Sequence, residues 1–75
     1  MVKAFVMLNV VLGCERDVLK ELRGVEGVVE AYIVDGVHDA VAVLETESLE
    51  ELKKLISKIR GMDRVHSTLT MIVVE

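Results

Sequence analysis

Residues 3–12 are almost all apolar, with Asn9 the one polar interruption after Lys3, the mark of a strand buried on both faces. Gly13 ends the run. Over residues 15–24 the period changes. Val18, Leu19, Leu22 and Val25 recur at helical spacing, with Glu15 and Asp17 early and Lys20 and Arg23 late, the order a helix dipole favours. Gly24 and Gly27 end this helix and turn the chain. Residues 28–35 predict a second strand, Gly36-Val37-His38 a short turn, and residues 39–45 a third strand that closes a hairpin. Ser48-Leu49-Glu50-Glu51 has the pattern of a capping box. The helix it opens carries Leu49, Leu52, Leu55, Ile56 and Ile59 on one stripe to about Arg60, and Gly61 stops it. Residues 65–74 form the last strand.

The pattern repeats. Leu22-Arg23-Gly24-Val25-Glu26-Gly27-Val28 and Ile59-Arg60-Gly61-Met62-Asp63-Arg64-Val65 match apolar for apolar at an offset of 37 residues. Each copy reads as a helix end, a turn and a strand start, so the chain divides into two βαβ halves. The expected fold is α+β: a ferredoxin-like βαββαβ sandwich, one domain over residues 1–75, with a four-stranded antiparallel sheet. Right-handed crossovers put both helices on one face of that sheet.

The other face should then alternate towards polar residues if it meets water. It does not. Strand one presents Phe5 and Met7 around Asn9, strand three is apolar on both sides through residues 40–44, and strand four offers Leu69, Met71 and Val73. An apolar surface of this extent marks an interaction site. The expectation is a homodimer, sheet against sheet, that closes into an α/β barrel.

Composition narrows the function. The chain is 75 residues long and 52% hydrophobic, with fifteen valines but only Phe5 and Tyr32 as aromatics. That suits a β-rich core of branched side chains and gives nucleic-acid bases almost nothing to stack on. Nine Lys and Arg are interleaved with thirteen Asp and Glu, for a net charge of −4, so no basic stripe argues for direct nucleic-acid binding. The apolar start is too short to span a bilayer and has no cleavage site after it, which implies a cytoplasmic protein without a membrane partner. Cys14 is the only cysteine, so one chain can build neither a disulfide framework nor a cysteine metal cluster. His38 and His66 are isolated, and no nucleophile–base spacing, Walker loop or dinucleotide fingerprint is present. The pattern argues against an enzyme and calls for no cofactor or metal.

The hairpin turn carries the best candidate chemistry. Gly36 lets the backbone approach a ligand and expose amides that hold a carboxylate, while Asp39 can accept from an ammonium group. A free amino acid presents both groups together. Thr68 and Thr70 on the last strand face the same way and add hydroxyls. The same residues also read as an ordinary Asp-Gly turn and ordinary strand formers.

Taken in order, residues 28–39 ending in Gly36-Val37-His38-Asp39, then Ser48-Leu49-Glu50-Glu51-Leu52, then Val65 through Thr68 to Thr70 resemble the effector-binding domain of Lrp/AsnC transcription regulators. The similarity covers essentially the whole chain. It implies dimerisation through the sheets, further assembly into rings such as octamers, and amino acids or related small metabolites as effectors bound between dimers. By that resemblance Gly36, Val37, His38 and Asp39 supply the binding turn, and Thr68 and Thr70 the last-strand contacts. Family members carry a DNA-binding helix-turn-helix ahead of this domain. Here Met1 leads straight into the first strand, which implies a stand-alone form that does not bind DNA itself and that acts by mixing with full-length regulators or by sensing the metabolite. The family often has an aromatic residue where this chain has His38. Two other readings stay open: a small dimeric α/β-barrel enzyme, and a ring-forming scaffold without a ligand.

Overall fold

Alternation sets the first strand. In β1 (Val2–Val10), Ala4, Val6, Leu8 and Val10 are buried, while Phe5, Met7 and Asn9 point to the other side and stay half-buried. The computed structural model describes all residues 1–75. After β1 come α1 (Glu15–Arg23), β2 (Val28–Ile33), β3 (Ala40–Thr46), α2 (Leu49–Arg60) and β4 (Val65–Ile72). The strands form one antiparallel sheet in the order β2-β3-β1-β4. This is the expected ferredoxin-like βαββαβ fold.

Both helices bury their apolar stripes against one face of the sheet. Val18 and Leu22 of α1 and Leu52, Leu55 and Ile59 of α2 join Ala4, Val6, Leu8 and Val10 of β1 and Ala40, Ala42 and Leu44 of β3 in a single core. Alanines on the central strands leave room for the helices to lie close to the sheet. α2 is capped as its sequence predicts: the Glu51 amide donates to Ser48 Oγ at 3.2 Å. The Glu51 carboxylate reaches back one residue further than a capping box requires, accepting from the Glu47 amide at 3.3 Å.

The two halves turn alike. The Val25 amide donates to Leu22 O and the Met62 amide to Ile59 O, both at 3.1 Å. The next strand opens with Val28 bonded to Val25 O at 3.2 Å in one copy and Val65 to Met62 O at 3.1 Å in the other. In these four bonds every donor and acceptor is displaced by the sequence offset, whereas the Gly24 amide bonds to Glu21 O and the Gly61 amide to Ser57 O. The invariant glycines of the repeat, Gly24 and Gly61, nonetheless hold ordinary right-handed dihedrals. Gly27 is the demanding position: its φ is +98°, and an added Cβ would lie 2.7 Å from Leu55 Cδ2. Gly27→Ala is therefore expected to cost about 2 kcal/mol in urea unfolding, from left-handed strain and overpacking together. Gly24→Ala should cost far less, because its Cβ would meet nothing closer than 3.5 Å.

Strand ends depart from the sequence pattern. The apolar run continues to Leu12, but β1 stops at Val10 because a reverse turn follows. The Cys14 amide bonds to Val11 O at 2.9 Å with Gly13 at φ +87°, the dihedral sign a type II turn needs at its third residue. That turn leaves Leu12 exposed. β2 ends at Ile33 and β3 begins at Ala40, so the connection is longer than the three-residue turn read from the sequence. β4 ends at Ile72, two residues short of the apolar run.

Candidate functional site

The connection between β2 and β3, residues 34–39, is tied down at the end of β1. Its neck closes with the Val34 amide donating to Asp39 O and the Asp39 amide to Leu8 O, both at 2.9 Å. Leu8↔Ala40 is the last backbone pair between β1 and β3. Beyond it a side chain continues the ladder: Asp39 Oδ2 accepts from the Val10 amide at 2.8 Å. Half of the carboxylate read from the sequence as a ligand group is thus committed to the fold. The other oxygen is not.

Asn9 makes the second attachment. Its Nδ2 donates to Val37 O at 3.0 Å, and its Oδ1 lies 3.0 Å from His38 Nδ1 and accepts from Ser67 Oγ at 3.2 Å. One side chain therefore joins the loop, β1 and β4. Sequence reasoning did not select Asn9 or Ser67. The available signal was the chain's only asparagine, set inside an apolar strand.

What remains unpaired defines the chemistry. No buried side-chain nitrogen or oxygen lacks a partner, so the unbonded Asp39 Oδ1, His38 Nε2 and the hydroxyls of Thr68 and Thr70 are open to solvent. The amides of Gly36, Val37 and His38 donate to nothing within the chain. Gly36 has φ +153° and open space where a Cβ would stand. The loop thus carries free donors on its backbone and free acceptors on its side chains, the complement of a carboxylate and an ammonium.

The two threonines lie apart from it. Thr68 is registered opposite Leu8 and Thr70 opposite Val6, so both share the helix side of the sheet. Asn9 and Ser67, also opposite one another, share the open side. β1 separates Thr68 from the loop by roughly 10 Å, two strand spacings. Five clefts of the chain touch none of Gly36, Val37, His38, Asp39 or Thr70. None of those five clefts brings the six residues together. No group of three His, Cys, Asp or Glu side chains stands close enough to hold a metal ion, and no helix is long and apolar enough to cross a membrane.

The open face of the sheet is the other feature. Register sets two rows across all four strands: Glu30, Val43, Phe5 and Met71, then Tyr32, Val41, Met7 and Leu69. Six of these eight are aliphatic or phenylalanine. No helix covers them, and Leu69 and Met71 are 51% and 48% exposed. At the edge, the Tyr32 hydroxyl donates to Glu30 Oε1. That bond and the nearby negative charge hold the phenol above its usual pKa.

Comparison with known proteins agrees with the fold. A family model described as the Lrp/AsnC ligand binding domain matches residues 3–75. The crystal structure of FFRP-DM1 superposes with a TM-score of 0.95 at 39% sequence identity, over 99% of this chain and 100% of that one. A hypothetical protein from Pyrococcus horikoshii gives 0.94 at 38%, over 100% and 92%. The feast or famine regulatory protein of M. tuberculosis, complexed with L-methionine, gives 0.80 at 26%. This chain is covered in full there but spans only 51% of that protein. No match was found among curated proteins.

Proposed function

The chain belongs to the Lrp/AsnC ligand-binding domain family, and from that membership we propose that it is an oligomeric effector sensor for an amino acid or related small metabolite. The observation that carries this reading is the loop of residues 34–39: free backbone amides beside free side-chain acceptors, set apart from the five clefts described above. Such a site is completed by a neighbouring copy. Two chains pair through their open sheet faces, forming an α/β barrel, and pairs assemble further, so that Gly36, Val37, His38 and Asp39 of one pair meet a neighbouring pair, with Thr68 and Thr70 contributing from the last strand. The M. tuberculosis relative was solved with L-methionine, which supports this ligand class. Modulation of full-length regulators by mixed assembly is the proposed role.

Calorimetric titration with each of the twenty amino acids tests the reading. At least one should bind with a Kd between about 1 μM and 1 mM, roughly −8 to −4 kcal/mol. Asp39→Asn keeps a side-chain oxygen for the Val10 amide but removes the charge. It should fold normally and bind at least tenfold more weakly, about 1.4 kcal/mol. No heat from any of the twenty, with the protein assembled, would end the effector reading.

A further inference from the structure

We propose that Asn9 is a positioning residue that holds the His38 imidazole as its Nδ1–H tautomer, so that the exposed Nε2 offers a lone pair to the ammonium group of a ligand seated on the loop of residues 34–39. The ligand half of this inference rests on the effector reading above; the tautomer half does not.

The argument is one of forced donors and acceptors. A peptide carbonyl only accepts, so the Asn9 atom 3.0 Å from Val37 O is the amide nitrogen. The opposite end is then the oxygen, which cannot donate. It already accepts from Ser67 Oγ at 3.2 Å, and it stands 3.0 Å from His38 Nδ1. Nδ1 must therefore carry the hydrogen. An uncharged imidazole has one N–H, so Nε2 is bare. Nε2 has no partner in the chain, and no unpartnered side-chain nitrogen is fully buried, so solvent reaches it. The next residue adds a second outward acceptor, Asp39 Oδ1, because Oδ2 is held by the Val10 amide. These two side chains give an incoming N–H donor two places to bond and offer an anion none. The carboxylate end of an amino acid is left to the free amides of Gly36, Val37 and His38.

Long-range proton–nitrogen NMR at about pH 9, where an imidazole is uncharged, reads the tautomer directly, with His66 as the reference outside the network. The wild-type spectrum reads the tautomer itself: His38 should be Nδ1–H. Asn9→Asp keeps acceptors for both His38 and Ser67 while losing the donor to Val37, and should leave the tautomer unchanged. Asn9→Leu removes the acceptor and should shift His38 to Nε2–H. A wild-type Nε2–H ring, or an Asn9→Leu ring that stays Nδ1–H, overturns the proposal. For the ligand half, an amino acid that binds the wild type should bind at least tenfold more tightly than its des-amino acid. That ratio should shrink at least threefold in Asn9→Leu and in His38→Phe, and an unchanged ratio overturns the ammonium assignment. If no amino acid gives heat while His38 reads Nδ1–H, the effector reading and the ligand half fall together and the tautomer assignment stands.

Discussion

Leu69→Glu combined with Met71→Glu is expected to convert the proposed assembly into monomers. Both side chains stand on the open face of edge strand β4, about half exposed in the single chain, so the carboxylates remain hydrated when the chain is alone. Closing two such faces together would strip water from four carboxylates; Lys3, whose ammonium lies 5.8 Å from the centroid of the Phe5 ring opposite Met71, can pair with at most one of them in each chain. Each desolvation costs several kcal/mol, and the apolar burial lost with Leu69 and Met71 adds to it. The dissociation constant of the proposed dimer should rise at least 1,000-fold, about 4 kcal/mol. Sedimentation velocity at about 10 μM should find the wild type above, and the double variant at, the 8.3 kDa mass of one chain. Lys53→Glu on the exposed side of α2 should leave the wild-type mass unchanged. A wild type that sediments at one-chain mass would remove the basis for a shared site.

Leu22→Ala and Ile59→Ala should have the next largest effects, and similar ones. The two positions are related by the internal repeat, both are fully buried, and each starts the same turn out of its helix. Truncation loses the transfer energy of the side chain and leaves a cavity, about 3 kcal/mol in each case. A domain of this size holds roughly 4 to 11 kcal/mol in total, so either variant gives up a large share. The expected fall in Tm is on the order of 15 °C for each, compared at one protein concentration because the proposed assembly would contribute by mass action. Were one variant nearly neutral, the two halves would not be equivalent in packing despite their matching turns.

Much of this fold was legible from local pattern. The switch from continuous apolar residues to helical spacing located β1 and α1, Ser48 located the start of α2, and the repeat anticipated two similar turns. The misplaced ends have a common cause. Apolar runs extend past the last ladder bond at Leu12 and at Val74, and hydrophobicity does not record where backbone pairing stops. Glycine was legible only as punctuation: the sequence marks Gly24 and Gly27 alike, but a contact with Leu55 makes the second one matter. The site divides the same way. Gly36 and Asp39 announce a turn able to meet an amino acid. Asn9, the residue that organises it, bonds Val37 and His38 across a separation of 28 and 29 positions and Ser67 across 58, and no local spacing exposes such partners.

By itself, the sequence determined the order of elements, the pseudo-symmetry of the two halves and the surplus of apolar residues on the second sheet face, because periodicity and composition are properties of short segments. The tertiary structure alone decided three things: which side of the sheet Thr68 and Thr70 share, that half of the Asp39 carboxylate is spent on the Val10 amide, and that His38 is fixed by Asn9. Those depend on strand register and on hydrogen bonds between residues distant along the chain, which exist only once the sheet has formed.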